Sequence, residues 1–373
     1  MTAALEPRSS QAPRARSVSP EGPVPEQVWE EVLATAPGAL PTQTPAWLRC
    51  VSVVDGHEDS SQLCRTPDGR RLILPLVRRR RGGRAVGHVV GPALDTVAGL
   101  PPGWGVGGLL ADGGTISADD VRLAVTALLC RRALRVVLRP DPATAATWAA
   151  GMPAWVPREP RMAQTVPLDG GFDSVWRRFR ADTRTRVRRA ERAGVVVECD
   201  DTGRLVPAFH DLYAKSIARW ARRDGIPLSI AQRLAARREP ARKLPMVATM
   251  LGPRCRVYAA SRDDRPVAAI VVLYAAHTAA YWRGAMDAEL AGPCYANYLL
   301  HRVAIEDAAE AGCTAYHMGD SAPGSDLALF KSRFGAIEQH YAGFRIERFP
   351  IGPMANRVRD AASRLLRLRQ ERG

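Results

Sequence analysis

The runs RVYAAS at 256–261, PVAAIVVLY at 266–274 and AAYWRGA at 279–285, the first two joined by the turn RDDR at 262–265, decide the fold. Each is a short apolar segment of strand length, and together they read as a meander of three strands. A helical pattern follows from about Tyr295 to Ala311 and ends at Gly312, where a left-handed stop is expected. A strand at Ala315–Met318, a short helix at Asp326–Phe334 and a last strand at Ile337–Ile346 complete the unit. Upstream of the meander come a basic helix at Phe172–Ala193, a strand at Val195–Cys199, and helices at about Arg204–Arg222 and Ile230–Leu251, the last broken near its prolines.

The same order appears earlier in the chain. Pro25–Ala36 reads as a helix with Trp29 and Val32 on one face, and Cys50–Val54 as a strand or the end of a helix around Trp47. Gln62–Thr66, the turn Pro67-Asp68-Gly69 and Arg70–Val77 form strand, turn and strand. Arg78–Arg81 with Gly82-Gly83 closes a second turn before Ala85–Val90. After a Gly/Pro-rich loop at Gly99–Gly114 come a helix at Ser117–Arg132 and strands at Leu134–Arg139 and Ala163–Leu168. A helix–meander–helix–strand order read twice predicts an α+β protein of two lobes, each a mostly antiparallel sheet flanked by helices. The expected divisions are a disordered tail over 1–25, lobes over 26–170 and 171–350, and a basic helix over 351–373.

The chain has 373 residues, 46% of them apolar, and a formal charge of +15. That apolar share excludes general disorder, and the length fits two domains of ordinary size. No run approaches about 18 apolar residues, so a membrane-spanning helix is not expected. Residues 1–25 lack the apolar core of a signal peptide, which points to a cytoplasmic protein. Seven scattered cysteines without paired spacing read as free thiols, and the histidines show no ligand spacing, so no metal is expected. The excess charge favours nucleic acid, an acidic membrane surface or a phosphorylated substrate as partner. It is nearly all arginine, with lysine only at Lys215, Lys243 and Lys331.

No GxSxG, HExxH, Walker A or post-strand GxGxxG pattern is present. What stands out is a series of local motifs: YWRGAMD at 281–287, PCYANY at 293–298, YHMGDS at 316–321 and LFKSRFG at 329–335. Upstream lie the basic stretch at 176–195, the Pro41, Gln43 and Trp47 cluster, and LPL at 74–76. In this order they resemble the FemABX-type branch of the GNAT superfamily, the aminoacyl-tRNA-dependent peptidyl transferases and their relatives. The resemblance spans about residues 26–349 and implies tandem GNAT-like lobes.

It also implies a reaction in which a substrate amine attacks an activated acyl carbon through a tetrahedral oxyanion, with no covalent enzyme intermediate. Lys331 matches the lysine taken to stabilise the oxyanion and the leaving ribose oxygen, and Phe330 would line the acceptor-end pocket. In a chain this rich in arginine, a lysine marks a place that asks for a compact ammonium; a solvated helix charge is the plainer alternative. Asp320, just past a strand, would orient the amine or accept its proton, or else serve as a turn or cap residue. Trp282, Arg283 and Asp287 are expected at substrate, the last two alternatively paired with each other. Tyr295 and Asn297 open the long helix and would face the acyl group, with capping the alternative for Asn297.

Arg177, Arg178, Arg184, Arg188 and Arg189 fall around the basic helix and are candidates for binding phosphate or an RNA acceptor stem, with a plain solvated face as the alternative. Two donors compete. GNAT enzymes using acyl-CoA present backbone N–H groups of an Arg/Gln-x-x-Gly-x-Gly/Ala loop to the pyrophosphate. Here the corresponding Leu290–Tyr295 keeps only Gly292 and carries Pro293, which has no N–H. The expected function is therefore transfer of an amino acid from aminoacyl-tRNA to an amine of a natural-product or cell-wall precursor, without a cofactor. An acyl-CoA-dependent N-acyltransferase and a non-catalytic RNA-binding protein are the alternatives.

Overall fold

The computed structural model describes residues 22–79, 95–131 and 133–347. The first half contains α1 (Glu26–Ala34), α2 (Pro45–Asp55), β1 (Glu58–Asp59), β2 (Gln62–Arg65), β3 (Arg71–Leu74) and β4 (Val77–Arg79). It continues with β5 (Thr96–Ala98), β6 (Leu110–Ala111), α3 (Ala118–Leu129), β7 (Arg135–Leu138), α4 (Ala145–Gly151) and β8 (Arg158–Pro167). Local chemistry sets several of these ends. Thr44 caps α2 by accepting from the Trp47 N–H with Pro45 in the first turn, and Ser117 and Asp120 close a reciprocal capping box on α3. Gly69, at φ +90°, turns the β2–β3 hairpin at the expected place.

The second half holds α5 (Gly171–Arg178), α6 (Ala181–Arg192), β9 (Val196–Asp200), α7 (Val206–Arg223), α8 (Leu228–Arg238) and α9 (Lys243–Leu251). Then come β10 (Cys255–Arg262), β11 (Arg265–Tyr274), β12 (Thr278–Met286), α10 (Ala288–Ala291), α11 (Ala296–Glu310), β13 (Ala315–Asp320), α12 (Asp326–Ser332) and β14 (Ile337–Glu347). The β10–β12 meander matches the sequence reading.

The two lobes share one sheet of eleven strands, ordered β1-β4-β5-β7-β14-β8-β13-β12-β11-β10-β9. The last strand of each half lies beyond the midpoint: β14 pairs with β7 of the first half, and β8 pairs with β13 of the second. β14 and β8 also pair with each other along Ile337–Phe344. Alternation along β10 and β11 feeds two cores. Val257, Ala259, Ala269, Val271 and Leu273 face a core built with α2, α7 and α9; Tyr258, Ala260, Ala268, Ile270 and Val272 face one built with α5, α6 and α11.

Three expectations change. The first-half meander is not one sheet: β2 and β3 pair with β6 in a separate three-stranded sheet, while Val77–Arg79 leaves it after Pro75-Leu76 to join the large one. Cys50–Val54 is helix, part of α2. The basic helix is two helices, because Phe179 and Arg180 are extended and the Phe179 ring dives against Phe334 at 5.2 Å. The third first-half strand at Ala85–Val90 and the helix over 351–373 lie outside the described residues, as does the tail over 1–25 except at its end, where Val24 is buried.

Candidate active site

A bulge and a fork in the sheet position the site. Val271 pairs with Arg283 and Val272 with Tyr281, so Trp282 is an extra residue in β12. Trp282 is buried in the α7/α9 core, and Arg283 turns to that same side to reach Glu239 of the α8–α9 connection. β12 and β13 are paired only along Thr278–Ala280 with Ala315–His317, and beyond that point the two parallel strands share no ladder. Among the sequence candidates, Trp282 and Arg283 lie on one side of this fork, and Asp320, Phe330 and Lys331 at its β13 side.

Lys331 is buried at 2% exposure, which removes the solvated-charge alternative. Its Nζ donates to the carbonyls of Gly319 and Asp320, both at 2.9 Å, at the C-terminal end of β13. An ammonium has three donors, so one remains beyond these two bonds. Burial lowers its pKa to about 8, partly offset by the Asp320 charge. His301 of α11 is fully enclosed, and burial together with the Lys331 charge holds its pKa down at about 3, a neutral imidazole. Phe330 packs edge-on against Tyr298, His301 and Phe334 at 5.1–5.5 Å, so an aromatic wall stands beside the lysine. The Asp320 carboxylate accepts from the Tyr341 hydroxyl at 2.8 Å and pairs with Arg161 at 3.4 Å. It is 38% exposed and open to a ligand.

Across the sheet lies a second cluster, of which the sequence reading named Trp282 and Arg283 but gave Glu239 and Lys243 no role. Glu239 Oε2 accepts from Lys243 Nζ at 3.1 Å and from Arg283 Nε and Nη2 at 3.1 and 2.9 Å. Lys243 is fully buried, donates to the Gly103 carbonyl at 3.0 Å and sits 4.2 Å over the Trp104 ring. Burial lowers its pKa to about 8 as well. Trp47, Trp104 and Trp282 pack together, the first two from the first lobe and the third from the second. The Gly/Pro-rich loop that carries Trp104 is held here: its indole donates to Asp55, and Thr42 and Gln43 donate to the carbonyls of Val106 and Gly108. The one signal pointing to Lys243 was the scarcity of lysine. Beside the cluster, a cavity of about 260 Å³ opens between α7, α8 and α9, walled by Phe209, Tyr213, Ile217 and Leu244 with Glu239 and Arg283 at its polar end.

The remaining candidates separate. Arg283 and Asp287 do not pair with each other; Asp287 binds Lys215 at 2.8 Å. Tyr295 holds the N-cap position of α11 at φ +55° without a capping bond, and Asn297 donates to the Met286 sulfur, so neither caps the helix by its side chain. Arg178 is tied to the Pro167 carbonyl and to Ser174, and Arg184 donates to the carbonyls of Arg177 and Phe179, closing the end of α5. Both have structural partners. Arg177, Arg188 and Arg189 are exposed and make no ion pair among the described residues. Arg186 lies 5.0 Å over the Tyr298 ring, which links the basic helices to the wall around Phe330.

Residues 177–326 match the model of the acetyltransferase (GNAT) domain. No curated protein matches the chain. Among solved structures, FemX superposes with a TM-score of 0.62 at 14% identity, covering 87% of this chain and 96% of its own. A conserved protein of unknown function from Bacteroides thetaiotaomicron VPI-5482 gives 0.52 at 9% identity, over 88% and 98%. The fold is thus that of FemX, with a region in its second lobe that matches the GNAT domain model.

Proposed function

We propose that the protein is an aminoacyltransferase that moves an aminoacyl group from aminoacyl-tRNA to an amine of a small acceptor, a natural-product or cell-wall precursor. The observation that carries this reading is the buried Lys331, an ammonium held at the mouth of the forked strands beside an aromatic wall. In the reaction the amine nitrogen bonds to the ester carbon, the ester C–O bond breaks, and the proton lost by the amine ends on the departing ribose oxygen. Lys331 faces the oxygen that gathers charge, where a preorganised cation in a dry site is most effective. Asp320 orients the amine and carries its proton.

Two features favour tRNA over coenzyme A as carrier. The backbone N–H groups of Leu290, Ala291, Gly292 and Tyr295 are bonded within the chain and Pro293 has none, so this stretch offers few donors to a pyrophosphate. The exposed Arg177, Arg188 and Arg189 belong to the helices that pack on the Lys331 face of the sheet. Such a donor places the work in the cytoplasm.

The test is incubation of the protein with charged tRNA and amine acceptors. The expected result is RNase-sensitive transfer of the amino acid, with Lys331→Ala reducing turnover about 10²–10³-fold and leaving tRNA affinity nearly unchanged. Transfer that survives RNase and needs acyl-CoA would establish the acyl-CoA reading instead. Tight RNA binding with no transfer would establish a binding protein.

A further inference from the structure

We propose that α8 is a docking face for an anionic lipid bilayer. None of its residues is buried, and it meets the rest of the protein on one side, where Gln232, Ala235 and Ala236 line the cavity. By helical geometry the opposite side presents Ile230, Arg233, Leu234 and Arg237. Ile226, Leu228, Ile230 and Leu234 are 38%, 45%, 47% and 55% exposed. They are four of the ten exposed large apolar side chains among the described residues, gathered within nine positions. Single exposed leucines need no explanation, but a cluster in one short stretch, Ile226 just before α8 and the other three on it, marks an interaction surface.

Charge identifies the partner. Residues 226–238 hold Arg233, Arg237 and Arg238 and no acid. The flanking acids are engaged elsewhere: Asp224 with Arg223, and Glu239 inward with Lys243 and Arg283. Aliphatic side chains ringed by arginine fit the boundary between acyl chains and anionic headgroups. RNA would leave those side chains in water, since they offer no flat face for a base to stack on. A second copy packed face to face would set the arginines against one another. The element lies flat on the membrane; no helix among the described residues is long and apolar enough to cross one. α8 also lies on the sheet face opposite α5 and α6, so a bilayer here leaves the basic helices free. The proposal does not depend on the transfer reaction.

Co-sedimentation of the full chain with vesicles tests it. Binding is expected to phosphatidylcholine mixed with phosphatidylglycerol and not to phosphatidylcholine alone. Ile230→Ser with Leu234→Ser should abolish it, and Arg233→Gln, Arg237→Gln and Arg238→Gln together should weaken it by about a hundredfold. All these side chains are outside the core, so an unchanged melting curve confirms that each variant is folded. Arg188→Gln with Arg189→Gln on α6 should bind vesicles as the parent does. The proposal fails if the apolar variant still binds, or if the α6 variant is the one that loses binding. It also fails if light scattering shows a dimer that Ile230→Ser dissolves, or if these substitutions reduce RNA affinity instead.

Discussion

Lys331 and Lys243 are buried ammonium groups on opposite faces of one sheet, the first bonded to two carbonyls at the end of β13 and the second to the Gly103 carbonyl in the loop before β6. Their environments differ in one respect. Lys243 shares a carboxylate with Arg283 and is locked into a lobe-to-lobe contact, whereas Lys331 bonds only to carbonyls. On the proposed function, that difference assigns the charge arriving with substrate to Lys331 rather than Lys243. It also sets a pH dependence. The cation is lost as pH rises through about 8, so turnover should fall on the alkaline side with a midpoint near that value. A pH–rate profile that rises there instead would show Lys331 acting as a base. The scarcity of lysine made Lys331 legible in the sequence because a recognisable motif surrounds it. Lys243 is equally scarce and was missed: Glu239 stands only four residues before it, but Arg283, which shares that carboxylate, and Gly103, which accepts from Lys243, lie 44 and 140 positions from their partners.

At the scale of elements, what local chemistry dictates was readable. The Ser117 cap, the Asp68-Gly69 turn and the apolar runs of β10–β12 each carry their structure within a few residues. The break between α5 and α6 was not readable, because it has no local cause. Phe179 leaves the helix to reach Phe334, and the Arg180 N–H bonds to the Arg333 carbonyl across 153 positions of chain. Gly335, at φ +75°, lets the chain pass against Arg178 at that junction, where a side chain would meet the Arg178 backbone oxygen at 3.2 Å. The break also sorts the arginines into those that close α5 and those left outward. Replacing Arg188 and Arg189 with Gln should therefore weaken tRNA binding evenly across sequences and reduce the slope of log affinity against log salt by about two. Filter binding over a salt series measures it, and an unchanged slope would remove these residues from the RNA surface.

For the molecule as a whole, the duplication was visible in the order of elements, but the exchange of strands between the halves was not. A strand's alternation is the same whichever neighbour it joins, so β8 and β14 read equally well as the last strand of their own lobe. The exchange predicts how the chain divides. Residues 1–170 and 171–373 produced separately should each aggregate, since each exposes unpaired edges at β7, β8 or β13. Produced together they should form a soluble one-to-one complex, read by size-exclusion chromatography. A monomeric second half with a cooperative melt would show that its sheet closes without β8. The shared ladder has a mechanical consequence too. Enzymes of two lobes commonly swing about a linker to enclose their substrate, but here such a swing would tear the Ile337–Phe344 ladder. The ladder ties the halves into a single plate. On the proposed function, substrate has to enter without a swing of the lobes, past segments off the shared ladder such as α12, which carries Lys331.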